Sequence, residues 1–260
     1  MKVAGVGFCC VDVYEKLGRS YPTGNGIDFA IHLSRLGIRT SVVSVVGNDA
    51  HGARMKEVLQ KEGVDITHLH TEEGDTAVFK MDLNGNDRVH GELLEGVMSG
   101  FRLTEEDLAF IQEHDYVHTD LFGKITGDLP RIRQNHTSVV FDFSRFLQHE
   151  DARHLLPNVD YAFFSYERHD PFIEDYLKQA KSLGPSLVTA TLGKNGSLAY
   201  DGVNFYKQDI VPARVVNTVG AGDSFIAGLM FGVMNGCSVP ACLQLGAETA
   251  AGVVSRFEPY

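Results

Sequence analysis

No stretch of this 260-residue sequence stays apolar for the roughly twenty residues that a membrane-spanning helix needs. Basic residues are in short supply. The 23 Lys and Arg stand against 34 Asp and Glu, a net charge of −11. That balance argues against nucleic acid and anionic membrane as partners, but not against a nucleotide, which needs only a local positive site. Cysteine is scarce: Cys9, Cys10, Cys237 and Cys242 form no C-x-x-C pair and read as buried, reduced thiols of a cytoplasmic protein. The N-terminus lacks a signal-peptide cleavage pattern and reads directly as a strand. His68-x-His70 is the one close histidine pair. No zinc-ligand set surrounds it in sequence, so both read as exposed loop or strand histidines. Gly5-x-Gly7-x-x-Cys10 lacks the third glycine of a dinucleotide fingerprint, and no helix follows it. A dehydrogenase is set aside on that ground.

What is present is a chain of ordinary globular composition, 43% hydrophobic and 22% charged, long enough to bury one large core. Strands are expected at Lys2 to Cys10, Ser41 to Val46, Tyr116 to Thr119, Ser138 to Phe143, Val159 to Phe164 and Leu187 to Leu192. Helices are expected between them, so the fold class is α/β with a mainly parallel sheet and helices on both faces. Asp12 follows the first strand at once, at the sheet end where such folds bind ligands. Thr76 to Leu83 alternates as a strand, Asn84-Gly85 turns, and Asn86 to Gly91 returns. Thr104-Glu105-Glu106-Asp107 and Asp170-Pro171 are helix starts.

The stretch from Asn217 to Phe225, NTVGAGDSF, organises the chain. It reads as a loop entering a helix whose residues, Ser224 to Met234, are apolar all round and therefore buried. The unpaired N–H groups at such a helix start make an anion site, and Gly220 and Gly222 let an anion approach the backbone. Asp223 stands in the same turn. A carboxylate there suits a base that takes a proton from a hydroxyl, while the N–H groups of Ala221, Gly222 and Asp223 hold a transferred phosphoryl group.

This run resembles the C-terminal signature of the ribokinase-like (PfkB) carbohydrate kinases, Asp-Thr-x-Gly-Ala-Gly-Asp-x-Phe, with Asn217 in place of the first Asp. Thr23-Gly24-Asn25-Gly26-Ile27-Asp28 is similar to the family's Gly-Gly-Asn-x-x-Asn, with Thr23 for a glycine and Asp28 for an asparagine. Thr191-Leu192-Gly193-Lys194-Asn195-Gly196 is similar to its nucleotide-side Thr-Leu-Gly-x-x-Gly. The resemblance implies a ribokinase-like domain over residues 1–260, with a small β lid inserted as segments about 13–22 and 75–98. It implies ATP and Mg²⁺ as cofactors, a sugar held by Asp12, Gly24, Asn25 and Asp28, and a nucleotide beside Thr191, Gly193, Gly196, Asn217 and Thr218. It also implies adenine between the last helix and the loop before Gly220. The family's Asn-x-x-Glu near the metal is replaced by Ser165-Tyr166-Glu167-Arg168, which leaves Glu167, one position early, as the metal contact. Lids of this family pair between subunits, which implies a homodimer through the lid.

Asp28 trades two donors for a charge. Either it meets a cationic group on the sugar, or it merely accepts from a hydroxyl. The lid run from Asn86 to Met98, NDRVHGELLEGVM, resembles the branch of fructoselysine 6-kinases. That branch implies transfer to the 6-hydroxyl of fructoselysine or a related glycated amino acid. Arg88 would then hold a carboxylate, and Glu92 or Glu95 an ammonium. A kinase of a plain sugar or nucleoside, or a non-catalytic sugar or nucleotide sensor, is the alternative.

Overall fold

The computed structural model describes residues 1–85, 87–147 and 152–260; Asn86, the first residue of the expected returning lid strand, lies outside the described residues. The strands are β1 (Lys2–Val6), β2 (Cys10–Tyr14), β3 (Arg19–Thr23), β4 (Arg39–Gly47), β5 (Asp65–Glu72), β6 (Val78–Asn84), β7 (Asp87–Leu94), β8 (Tyr116–Asp120), β9 (Ser138–Asp142), β10 (Tyr161–Ser165), β11 (Leu187–Thr191), β12 (Ser197–Tyr200) and β13 (Phe205–Gln208). The helices are α1 (Asn25–Arg35), α2 (Ala50–Lys61), α3 (Glu105–Ile111), α4 (Leu129–Ile132), α5 (Ala152–Leu155), α6 (Pro171–Ser182), α7 (Ala221–Met234) and α8 (Val239–Val254). None is long and apolar enough to cross a membrane.

Nine strands form one sheet in the order β13-β12-β11-β10-β9-β8-β1-β4-β5. All are parallel from β11 to β5, and β12 and β13 add an antiparallel edge. Neighbouring strand residues feed opposite faces, as the pleat requires. Val3, Val140, Phe163 and Ala199 pack in one cluster with Phe29 and Leu33 of α1 and the apolar residues of α7. Their neighbours Ala4, Val139, Phe164 and Leu198 join Met55 of α2, Leu108 of α3 and Leu177 of α6 in another. Helices therefore cover both faces, and the fold is the expected ribokinase-like α/β architecture. The chain crosses from one half of the sheet to the other beside β1, between β8 and β4. That crossing opens a crevice at the strand carboxyl ends.

The second sheet, in the order β3-β2-β6-β7, is built from the segments expected to form the lid. The sequence reads Lys2 to Cys10 as one strand, but the chain breaks at Gly7. Its φ is +107°, and any Cβ there would lie 2.4 Å from Gly123 Cα. Residues after Gly7 leave the main sheet, so Asp12 sits inside lid strand β2, opposite Tyr21 and Phe79, rather than at the end of β1. The long strand β5 has no counterpart in the sequence reading, because it is an edge strand with Leu69 as its one fully buried residue. Cys9, Cys10 and Cys242 are buried thiols as expected; Cys237, just past the end of α7, is exposed instead.

Candidate active site

Helix α7 behaves as its composition demands. From Asp223 to Met230 every residue is buried, so the helix is held from all sides. Each large apolar side chain so buried stabilises by roughly 1.5–3 kcal/mol. The N-cap is Gly220, at φ +70°, and no side chain caps the helix. The N–H of Ala221 reaches Thr218 O at a long 3.4 Å, and Ser224 N bonds Gly220 O. The first turn is thus left to face whatever lies in front of it.

Two cavities lie there. One, of about 300 Å³, is lined by Asp12, Gly24, Asn25, Asp28, Arg88, Asp120, Asp142, Gly222 and Asp223 among others. The other, of about 540 Å³, is largely apolar and is lined by Thr191, Gly193, Gly196, Thr218, Ala221, Gly222 and the α8 residues Ala247, Ala250, Ala251 and Val254. Gly222 belongs to both, so the start of α7 is the partition between them.

The smaller cavity is crowded with acids. Burial pushes the Asp120 carboxyl up to about 8, helped by Asp142. Burial also pushes Asp12 and Asp142 up to about 7. Asp28 is raised well above the usual range by burial and then by Asp223. Asp223 itself is pushed up only to about 6, because the Arg88 charge pulls against its burial. Carboxyls this close cannot all ionise together. Arg88, from lid strand β7, is the cation that holds down Asp12, Asp28, Asp142 and Asp223 alike.

Hydrogen bonds fix the geometry. Thr23 Oγ1 donates to Asp28 Oδ2 at 2.7 Å, which leaves the buried Asp28 Oδ1 without a protein partner. Asn25 Nδ2 donates to Asp142 Oδ2 at 3.3 Å. The lid closes on the loop before α7 through Tyr14, Tyr21, Met81 and Val219, with Phe257 packed against them.

Several expected residues stand elsewhere. Glu92 pairs with Lys80 at 2.6 Å and Glu95 with Lys124 at 2.7 Å, and neither lines the acidic cavity. Asn217 is fully buried and lines neither cavity. Its amide donates to Phe257 O and its Oδ1 accepts from Val219 N, so it shapes the loop. Glu167 does not line the acidic cavity but an adjoining groove of about 580 Å³, with Arg168 and Phe172; the two share Arg145, Phe146 and Ser165. Among the described residues lining that groove Glu167 is the one carboxylate, alongside the guanidiniums of Arg145 and Arg168, which is a poor fit to a protein-held divalent cation. Asp120 and Asp142 were absent from the expected sugar contacts. Both end strands beside the crevice, which is the signal that could have found them. The small residues Ala247, Ala250, Ala251 and Val254 were likewise legible as one helix face.

The family described as pfkB family carbohydrate kinase matches residues 10–260. The fructoselysine 6-kinase of Escherichia coli K12 is 37% identical over 97% of this chain and 97% of its own. A fructosamine kinase of Bacillus subtilis 168 is 34% identical over 99% of this chain and 93% of its own. Among solved structures, Arabidopsis thaliana ribokinase complexed with ribose and ATP superposes with a TM-score of 0.83 at 21% identity, over 97% of this chain and 92% of its own. A putative ribokinase II from E. coli with ATP and Mg²⁺ gives 0.84 at 19% identity, over 99% and 94%.

Proposed function

The chain belongs to the pfkB family of carbohydrate kinases and is an ATP-dependent sugar kinase, and from that premise we propose that it phosphorylates the 6-hydroxyl of fructoselysine or a related glycated amino acid, with Asp223 as the base. One observation carries the mechanism: Gly222, at the start of α7, lines both cavities, with Asp223 beside it on the acidic side. The acceptor belongs in the acidic cavity and the nucleotide in the apolar one. The phosphoryl group then crosses in front of the first turn of α7.

The hydroxyl oxygen attacks the γ-phosphorus as its proton passes to Asp223. The bond from that phosphorus to the bridging oxygen breaks, and ADP leaves. The N–H groups of Ala221, Gly222 and Asp223, with the positive end of α7 behind them, hold the charge on the equatorial oxygens. Mg²⁺ bound with the nucleotide phosphates would supply charge neutralisation there, held mainly through phosphate oxygens and water. Asp28 Oδ1 and the carboxyls of Asp12, Asp120 and Asp142 accept from the sugar hydroxyls. An aminated sugar is favoured over a plain one because its ammonium compensates an acidic cavity that otherwise has to hold protons. The 34–37% identity to kinases named for fructosamine and fructoselysine supports the same acceptor class.

The test is ATP consumption against fructoselysine, an α-glycated amino acid, fructose, ribose and adenosine. Turnover confined to the glycated amines is the expected result. Turnover on plain fructose or ribose at equal kcat/KM would overturn the acceptor assignment while leaving Asp223 in place.

A further inference from the structure

Away from both cavities, three side chains converge that the kinase reaction does not use. His68 and His70 stand two residues apart on edge strand β5, so both rings fall on one face of the sheet. That face meets the start of α3. There Asp107 closes a capping box: its Oδ2 accepts from Thr104 N at 3.0 Å and from Thr104 Oγ1 at 2.8 Å. Its Oδ1 faces His68 Nδ1 at 2.7 Å and His70 Nε2 at 2.9 Å. The sequence reads these histidines as exposed; instead both turn onto a carboxylate whose side chain is 0% exposed.

We propose that His68, His70 and Asp107 form a zinc site that ties the open edge of the main sheet to helix α3. Two imidazole nitrogens and one carboxylate oxygen are a donor set for Zn²⁺. The hard cations that serve phosphoryl transfer prefer oxygen alone. The three ligand atoms already lie within 4.8 Å of one another. Around a tetrahedral ion with bonds of about 2.0–2.1 Å they would stand about 3.3 Å apart, so the hydrogen-bonded pairs open by about half an ångström.

The supporting contacts are in place. Thr104 orients the carboxylate through its second oxygen, as outer partners do at metal centres. The ring of Phe110 stacks on His68 at 4.0 Å between centroids and 16° between planes, which fixes one imidazole. The His70 side chain is 40% exposed, which leaves an entry path and room for water in the fourth position. Metal binding uses the lone pair of the ring nitrogen that faces Asp107 in each histidine. None of the three lines either active-site cavity, so the ion acts on stability rather than on turnover. An edge strand is where such a clamp has most to hold.

The experiment is calorimetric titration of the metal-free full chain with Zn²⁺, without nucleotide, alongside His70→Ala and His68→Ala. Visible spectra with Co²⁺ are read in parallel. One equivalent of Zn²⁺ should bind, raise the melting temperature and give Co²⁺ the intense bands of a four-coordinate N/O site. His70→Ala should weaken binding by at least about tenfold, the loss that even outer-shell partners cause, with kcat and KM for the sugar unchanged. His70 is part-exposed on an edge strand; it also lies 3.1 Å from Asp107 Oδ2, but the two shorter bonds from Thr104 that close the capping box of α3 stay in place in this variant. Equal zinc stoichiometry and affinity in wild type and His70→Ala would overturn the proposal. So would a Co²⁺ spectrum that stays that of the aqueous ion.

Discussion

Thr23 Oγ1 donates a 2.7 Å hydrogen bond to Asp28 Oδ2. These are the two positions at which the sugar motif departs from the family pattern, and the structure puts their side chains in contact. The hydroxyl gives this carboxylate a donor on one oxygen and leaves the other, which is buried, without a protein partner. The bond also lowers the Asp28 pKa against its burial. Thr23→Val should therefore push that carboxyl further up and weaken acceptor binding. A hydrogen bond to a charged group contributes about 1.5–3 kcal/mol, so KM should rise by about ten- to a hundredfold with kcat little changed. Steady-state kinetics on fructoselysine check this, and an unchanged KM would contradict it.

Asp223→Asn removes the proton acceptor but keeps the shape of the first turn. We expect kcat to fall by about 10²–10⁴, the usual contribution of a general base, with acceptor affinity by calorimetry preserved. A kcat within about tenfold of wild type would exclude Asp223 as the base.

The pH profile follows from the same residue. Asp223 must be ionised to act, and its carboxyl is raised to about 6, so kcat/KM should fall as pH drops through that value. Arg88 lowers the Asp223 pKa, so Arg88→Ala should move the acid limb to higher pH. The same variant should raise KM for fructoselysine far more than for a plain ketose, if the guanidinium also meets the substrate carboxylate. A limb that stays in place would show that the two charges do not communicate.

Gly220→Ala tests the entry to α7. The residue has φ +70°, and a Cβ would lie 2.6 Å from Pro259 Cβ and 2.8 Å from its Cα. The C-terminal segment is tied on both sides: His32 Nε2 lies 2.9 Å from Pro259 O, and the Tyr260 hydroxyl donates to Pro22 O at 2.7 Å. It cannot move aside without cost. Backbone strain of about 1–3 kcal/mol, before the clash, should lower the melting temperature and kcat together. A variant with wild-type values of both would refute the packing argument.

The sequence alone settled whatever depends on neighbours along the chain. The apolar-all-round helix after Gly220, the capping residues Thr104 and Asp170, and the alternation of strand and helix are local consequences of spacing and side-chain type. Asp223 and the glycines before it were legible because the loop and the helix start are contiguous. Tertiary structure decided what contiguity does not carry. Asp120 and Asp142 reach the acidic cavity only because β8 and β9 end beside the crevice. Asn217 turns inward, and Glu92 and Glu95 turn to Lys80 and Lys124, because the nearest partner in space outweighs a motif position. Asp12 belongs to the lid because Gly7 breaks the first strand against Gly123, 116 positions further along. The raised carboxyls follow for the same reason. Their shifts come from burial and from one another, and neither exists until distant segments of the chain are folded around one cavity.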